Sequence, residues 1–463
     1  MRTSSAVGPV ICLLFAVPVA VARDIEPRAS VAAIYSNNAL RSSVTELEET
    51  ALNASVGVRV KHASPHLNVD MDASYLHREY LQDSDLDSED LPSGYVNLIG
   101  IISPDRLTWT AEDTVGQISG EAFSALSSAD RENVNYFTTG PDLYLPLGAR
   151  NRLQLQGRYG KTNYEESNID SDRHGGELSL GHELGSGAAF GVAQSYQKIE
   201  YKLDNQFPGI ELNGTFARYS VESFRTYLVA EAGVESVQVG TAERTSSPHA
   251  LLVLQRQISP RVTLNLEYRR GFSDAVESFR ASTQDNFNNG AGADQDVQAV
   301  AEPFKSDEAY AMFVRTTART LLAWQVIWNR EDYAAGSLFD RTVLGTDAAV
   351  DYRLSSRLTL AGRASYVRED FTTLEMQRNR SEISIGLNHQ LSSSLQVAVT
   401  ALRARGSGDQ LEDRYNESRA TLAISYTPAA SRNRIFDPTA QFRFYSRPGR
   451  EGSTQQDTAP AKP

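Results

Sequence analysis

Residue types that commonly carry chemistry are few in this sequence, and their spacing matches no catalytic or metal-binding motif. The seven histidines form no HExxH pair or other metal-ligand spacing. The one cysteine, Cys12, lies in the apolar N-terminal run, so the remainder of the chain has no thiolate ligand and no disulfide. We therefore expect no enzyme activity, no catalytic residues, no metal and no cofactor.

Two histidines keep a hydrolytic alternative open. His182 in SLGHEL and His389 in GLNHQL each lie two residues before a leucine that opens a short turn. A barrel hydrolase would need a serine nucleophile beside such a base, and no serine can be assigned to either histidine from one sequence. A simpler interpretation of both positions is an amphipathic side chain at the membrane interface, partly in contact with water.

The charged residues follow a regular pattern of a different kind. In ALNASVGVRVK, Leu52 to Val60 alternate with Asn53 to Lys61, and period-two alternation is typical of a strand with two unlike faces. Charges of both signs fall on the polar face, and such a face is too polar to be buried in the core of a β-sandwich. The residues predicted to line a water-filled lumen are Arg59, Lys61, Asp70, Asp72, Arg158, Glu267, Arg269 and Arg363.

About twenty such segments lie between Ala29 and Thr427, each near the 9–11 residues of a membrane strand. Turns of a few residues, such as HASP and SPDR, alternate with long polar loops. The pattern predicts an all-β fold, a transmembrane antiparallel up-and-down β-barrel of about 18–20 strands with short periplasmic turns and long extracellular loops. A soluble propeller or solenoid is the alternative, but no blade repeat is found. The longest loop, 272–303, either folds inward as a constriction or remains outside.

Tyrosines give an independent indication of membrane depth. Five of them fall seven to ten residues beyond a short turn, on the apolar face of the strand. At about 3.3 Å per residue and the usual tilt, this distance is one hydrocarbon thickness. The predicted outer aromatic girdle consists of Tyr75, Tyr159, Tyr196, Tyr268 and Tyr366.

The N-terminal sequence predicts an exported protein, and the net charge bears on its partners. The apolar run that ends in Ala20-Val21-Ala22 predicts a signal peptide over 1–22. We expect a periplasmic segment over 23–28, the barrel over 29–445 and a disordered polar tail over 446–463, with either Tyr426 or Tyr445 closing the barrel. The net charge of −13 argues against a nucleic-acid partner, which requires a basic surface.

Several stretches resemble a known group of Gram-negative outer-membrane proteins. They are AAIYSNNALRSS, SPDRLTWTAEDTVGQ, NYFTTGPDLYLPLG and RYGKTNYEESNIDSDRHGGELSLGHEL. The first of them resembles a Tyr-x-Asp-Asn motif, but Asn37 stands where that motif usually has Asp. They are similar to the β-barrel porin 2 type, which includes proteins associated with exosortase (PEP-CTERM) and exopolysaccharide gene sets. The resemblance implies a barrel in the outer membrane and a link to polysaccharide secretion, and it implies no catalytic residues.

The expected function is a porin-like aqueous conduit in the outer membrane, for solute passage or exopolysaccharide secretion. The alternatives are a non-conducting barrel that scaffolds envelope or polysaccharide machinery, and the barrel hydrolase. Expected partners are outer-membrane lipid and lipopolysaccharide, the barrel-assembly machinery and polysaccharide export components.

Overall fold

A computed structural model describes most of the chain as one barrel of β-strands. The described residues are 24–44, 46–82, 86–119, 131–185, 187–203, 207–280, 301–333, 338–410 and 413–428. The predicted signal peptide over 1–22 and the predicted tail over 446–463 lie outside them. No helix in these ranges is long and apolar enough to cross a membrane.

Twenty strands follow one another along the chain. Their bounds are β1 Asp24–Ser36, β2 Glu49–Ala63, β3 Leu67–Tyr80, β4 Glu89–Ser103, β5 Leu107–Ser119, β6 Arg131–Pro146, β7 Asn151–Tyr164, β8 Ser171–Gly185, β9 Ala188–Tyr201, β10 Ile210–Ser223, β11 Thr226–Val239, β12 Thr245–Ser259, β13 Val262–Ser273, β14 Phe304–Thr316, β15 Thr320–Tyr333, β16 Arg341–Arg353, β17 Leu358–Phe371, β18 Met376–Gln390, β19 Leu395–Gly408 and β20 Tyr415–Tyr426.

Each strand pairs antiparallel with the next, and β1 pairs antiparallel with β20, so the sheet closes on itself. The closing register sets Ala29 opposite Tyr426 and Ser36 opposite Arg419. The predicted fold class is confirmed as a transmembrane up-and-down barrel, with 20 strands. Strand spacing of about 4.8 Å and a tilt of about 40° give such a barrel a diameter of about 40 Å.

The barrel begins and closes at defined residues. β1 starts at Asp24, but its first five residues pair with β2 alone, because pairing with β20 begins at Ala29. The closing strand ends at Tyr426. The candidate last strand at 439–445 lies outside the described residues.

The two ends of the barrel differ as the sequence predicts. Turns of two to four residues join β2–β3 and every second pair after it, and most of the other pairs are joined by longer loops. The exception is β17–β18, whose connection has only four residues, 372–375, because β18 already begins at Met376. The strands have 12 to 16 residues, longer than the membrane minimum, so they extend beyond the bilayer. In the turn between β8 and β9, Gly187 has a φ of +77° and a Cβ there would collide with the carbonyl oxygen of Glu222, so the turn requires glycine.

The two faces of the wall have opposite character. Outward-facing side chains such as Val56, Leu155, Ile383 and Val399 are exposed, as befits a surface that contacts lipid. The lining is not polar everywhere, however. Val229, Leu251 and Val253 share the inward face of β11 and β12 with Glu231 and form a buried apolar cluster. This part of the lining has no signature in the sequence, because the run ALLVLQ shows no clear alternation.

Candidate functional site

Four of the predicted lumen residues meet on β2 and β3. The register sets Arg59 opposite Asp72 and Lys61 opposite Asp70. Lys61 Nζ lies 3.5 Å from Asp70 Oδ2, Arg59 Nε lies 4.0 Å from Asp72 Oδ2, and Arg28 of β1 forms a second ion pair with Asp72. Opposite charges at facing positions neutralise one another, so this part of the lining is polar with little net charge.

The other four predicted lumen residues lie at separate places on the wall. Arg158 Nη2 lies 2.7 Å from Asp142 Oδ1 on the neighbouring strand. Arg269 Nη2 donates to Glu267 Oε1 over 2.8 Å within β13. Arg363 faces Ala349, between two aspartates of β16. The eight residues therefore form a distributed lining and not one site.

The predicted girdle tyrosines lie on the opposite face of their strands. Tyr75, Tyr159, Tyr196 and Tyr366 are 39–43% exposed, and Tyr268 is half-buried. Most of their hydroxyls donate to a polar group on the following strand, as in the 2.6 Å bond from Tyr75 to Asp90 and the 3.0 Å bond from Tyr159 to Asp172. Rings in lipid with hydroxyls in hydrogen bonds are typical of a membrane interface.

After β13 the chain does not form an outside loop at once but first folds into the lumen of the barrel. Residues 274–280, which we call the inward segment, leave the strand and fold into the lumen, with 275–280 helical. Asp274 accepts hydrogen bonds from the backbone N–H groups of Val276 and Glu277 at 2.9 and 3.1 Å, which caps this helical turn. Of the two alternatives for loop 272–303, inward folding holds for this part, and 281–300 lie outside the described residues.

A buried ion pair holds the start of the inward segment. The two carboxylate oxygens of Asp274 accept from Nη1 and Nη2 of Arg173 on β8 at 2.8 and 2.9 Å. Both side chains are about 95% buried. A bidentate Arg–carboxylate pair is among the strongest side-chain interactions, and its loss leaves an uncompensated buried charge.

Apolar contacts hold the rest of the segment against a second part of the wall. Val276 and Phe279 are almost fully buried in one cluster with inward-facing residues of β5 to β7 and the loop that follows them. The wall contributes Ile118, Val134, Tyr136, Tyr164 and Ile169. The chain therefore crosses a sector of the lumen from β13 to β5–β7, which narrows the extracellular end.

The end of the segment carries a further charge cluster. Arg280 Nη2 donates to Glu277 Oε1 over 2.5 Å, and Arg280 Nη1 lies 3.5 Å from Glu112 Oε2 on β5. Burial alone would raise the pKa of Glu277, but the Arg280 guanidinium prevails and lowers that pKa to about 2. Glu277 is therefore ionised at neutral pH and holds Arg280 in place.

Similar clusters stabilise other parts of the extracellular end. On β15 to β18, Glu369 lies 2.6 Å from Arg378 and 3.6 Å from both Arg341 and Arg380, and Arg341 also pairs with Glu331 at 2.8 Å. These groups are buried or nearly so, and each charge has an opposite charge within reach.

The first loop bridges the closing seam in the same way. Arg41, which has a φ of +53°, pairs with Glu417 of β20 at 3.0 Å and with Glu382 of β18 at 2.7 Å. Ser36 of β1 also donates to Glu417, over 2.8 Å.

A cavity of about 280 Å³ lies in the wall beside the inward segment. Glycines at 160, 175 and 214 leave room along its wall because they carry no side chains. Its polar lining includes Tyr136, Arg158, Arg173, Glu177, Ser195, Gln197 and Glu235. Both cavity and segment depend on tertiary structure, and the sequence offered no local pattern for them.

The periplasmic opening has a different electrostatic character. Six of its turns carry an arginine immediately before the next strand, and all six side chains are exposed. Each backbone carbonyl oxygen accepts a hydrogen bond from the neighbouring strand, and none of the six guanidiniums forms an ion pair within the described residues. The arginine ring, as we call it, consists of Arg106, Arg150, Arg225, Arg261, Arg319 and Arg357. Its sequence signature was present in turns such as SPDR, SPR and SSR.

The two histidines of the hydrolytic alternative are far apart. His182 on β8 faces outward, with Nδ1 2.7 Å from Asn151 Oδ1. His389 on β18 also faces outward, opposite Leu358 and Val397, and nine strands lie between β18 and β8 in either direction around the barrel. Among the described residues, no three His, Cys, Asp or Glu side chains are grouped to hold a metal ion.

Known proteins resemble this chain in fold. No protein-family model and no curated protein matches the sequence. Solved structures similar to it include the siderophore receptor PirA from Acinetobacter baumannii, with a TM-score of 0.46, 8% identity, and coverage of 88% of this chain and 81% of that one. OccAB3 from the same species has a TM-score of 0.37 and 8% identity over 87% of this chain and 99% of that one. A loop-deletion mutant of OmpT, an outer-membrane protein of Vibrio cholerae, has a TM-score of 0.33 and 10% identity over 87% and 99%.

Proposed function

We propose that this protein is a porin-like conduit of the outer membrane that passes hydrated solutes without catalysis. The observation that carries the proposal is the lumen, in which charges of both signs line a closed barrel wide enough for water. A polar lining lowers the free-energy cost of moving a hydrated molecule across lipid, and paired charges avoid strong preference for either sign. The inward segment narrows the path on one side.

The two openings of this path differ in electrostatic character. The arginine ring raises the local concentration of anions at the periplasmic mouth, whereas the buried charges at the extracellular end neutralise one another. Outer-membrane lipid, lipopolysaccharide and the barrel-assembly machinery are the expected partners. Exopolysaccharide as cargo, with polysaccharide export components as partners, is supported only by the family resemblance.

Planar-bilayer recording of the purified full-length protein tests the conduit. We expect single-channel steps from preparations whose heat-modifiable gel migration demonstrates a folded barrel. Folded protein that gives no steps would contradict the conduit and favour the scaffold. Deletion of the gene, followed by staining of surface polysaccharide, tests the cargo separately, and unchanged polymer would exclude exopolysaccharide.

A further inference from the structure

We propose that the cavity beside the inward segment binds a small uncharged polyhydroxylated solute of about the size of one sugar ring. This deepens the conduit function proposed above, because it names the solute class. The cavity volume of about 280 Å³ is close to the lower bound of about 300 Å³ for small-molecule pockets.

The charged groups of the lining already have partners. Arg158 pairs with Asp142 at 2.7 Å, and Arg173 pairs with Asp274 at 2.8 Å. On the other side, Glu177 lies 3.2 Å from Arg218. A ligand with its own charge would have to compete with one of these pairs, which disfavours charged ligands.

The fourth charged group is also engaged. Glu235 Oε1 lies 2.7 Å from His249 Nδ1, and Glu235 Oε2 accepts the backbone N–H of Phe272 at 3.0 Å. Glu235 of β11 therefore contacts the end of β13, two residues before the inward segment. None of the charged side chains named here is available to a ligand ion without breaking an existing contact.

The groups that remain available are neutral. The Tyr136 hydroxyl, the Ser195 hydroxyl and the Gln197 side-chain amide line the cavity and form no hydrogen bond with other described residues. Together they offer donors and acceptors on β6 and β9, the two strands that flank β7 and β8 along the cavity. A molecule with several hydroxyl groups can donate and accept at each of them.

Small residues make this space and keep it open. A Cβ at Gly160 would make ordinary contacts of 3.4–3.5 Å with Arg173, Phe137 and Tyr136, so a larger side chain fits locally and would extend into the cavity. A Cβ at Gly214 would approach Ser195 Oγ to 2.6 Å, so glycine there leaves the serine hydroxyl its position. Glycine within a strand often marks a site of close approach by another molecule.

Equilibrium binding tests the site without requiring ion conduction. Isothermal titration of the full-length protein in detergent micelles would compare D-glucose with its cationic analogue glucosamine and its anionic analogue glucuronate, both of which keep the sugar ring. We expect glucose to bind at least about tenfold more tightly than either charged analogue, because only the neutral sugar leaves the ion pairs intact. Equal affinity for all three, or no glucose binding, would overturn the proposal.

Three variants locate the binding. Gly160→Val should abolish glucose binding by filling the cavity, and Gln197→Leu should weaken it about tenfold by removing the amide. Gly345→Val is the matched control, because Gly345 also faces the lumen and a Cβ there would meet nothing nearer than 3.9 Å. Heat-modifiable migration shows that each variant is folded.

The outcomes separate this site from the conduit. Glucose binding that Gly345→Val preserves and Gly160→Val removes supports the site even if the barrel is silent in bilayers. Folded Gly160→Val protein that binds glucose normally overturns the site even if the barrel conducts.

Discussion

In the part of the chain that the structure describes, charged side chains are buried and paired at one end of the lumen and exposed without ion-pair partners at the other. At the extracellular end, Arg173, Asp274 and Glu369 are nearly fully buried, and each lies against an opposite charge. At the periplasmic end, the six guanidiniums of the arginine ring are exposed and have no ion-pair partner among the described residues. The difference follows from burial: a charge removed from water requires a partner, whereas water itself stabilises an exposed one.

This contrast separates structural charges from functional ones. The buried pairs hold the inward segment and the barrel end in one arrangement, so their contribution is stability. The side chains of the exposed arginine ring do not hold any segment in place, and their contribution is a positive electric potential at the periplasmic opening. Changes at the two ends should therefore affect different measurements.

The largest effect is expected from Asp274→Asn. Asparagine can still cap the helical turn through its side-chain oxygen, so the change removes the charge opposite Arg173 and one of the two hydrogen-bond acceptors for its guanidinium. Loss of one partner of a buried pair costs about 3–5 kcal/mol, which should release the inward segment. Hydrogen exchange read by mass spectrometry should show lost protection at the amides of Val276 and Glu277.

Asp370→Asn is the control for this change. Asp370 pairs with Arg368 on the outward face of β17, where both side chains are more than 40% exposed. Its replacement should leave exchange in the inward segment unchanged. Full protection of Val276 in Asp274→Asn would mean that apolar contacts alone hold the segment.

The next largest effect concerns ion selectivity at the other end. Replacement of all six ring arginines by glutamine should reduce the chloride-to-potassium permeability ratio several-fold, because charged rings at a mouth set the local ion concentration. Reversal potentials in a salt gradient measure this ratio. Arg330→Gln, a change on the outward face of β15, should leave it unchanged, and equal ratios in all three proteins would rule out the ring as a determinant.

Salt should distinguish the two ends. The Debye length falls from about 10 Å at 0.1 M salt to about 3 Å at 1 M, so the selectivity difference between the ring variant and the native protein should largely vanish at 1 M. Protection of the buried segment should not change over the same range. A selectivity difference that persists undiminished at 1 M would indicate that the arginines act by contact and not by field.

Acid should loosen the inward segment, with a smaller effect. The pKa of Glu277 is lowered to about 2 in the folded protein, below its value in the unfolded chain. Its stabilising contribution is therefore complete above about pH 4.5 and is lost as pH falls toward about 2. Hydrogen-exchange protection, corrected for the intrinsic pH dependence, should decline over this window, and Glu277→Gln should show a weaker decline. An equal decline in both proteins would assign the effect to another carboxylate.

The smallest effect is expected for a single change in the ring. Arg357→Gln should alter the free energy of unfolding by no more than about 0.5 kcal/mol, since the exposed side chain forms no ion pair. Urea titration of the folded barrel in micelles measures this quantity. A loss well above that value would show that the ring is structural after all.

Features with a period of two residues were predictable from the sequence. The alternation in VTLNLEYRR or RLQLQGRYG is a property of one strand, so it indicates which side chains share a face, and the short turns then give strand order and orientation. The inward orientation of the apolar residues Leu251 and Val253 could not be predicted, because their outward neighbours are equally apolar.

The inward segment could not be predicted in the same way. Asp274 and Arg173 are 101 residues apart, and Phe279 packs on strands that belong to another part of the wall. The sequence around Asp274 and Phe279 has no local pattern that distinguishes it from an ordinary polar loop. The cavity likewise arises from glycines and amides of several strands, which come together only when the barrel is closed.

The closing seam has a consequence for the order of assembly. Every strand pair except one joins neighbours in sequence, whereas Ser36 and Glu417, which meet at the seam, are 381 residues apart. Contacts of such long sequence separation form slowly, so we expect the hairpins to form first and the circle to close last. Until then both β1 and β20 present unpaired edges, which readily pair with other chains. The Arg41–Glu417 contact can form only when the ring is complete, which makes it a natural reporter of the final step of folding.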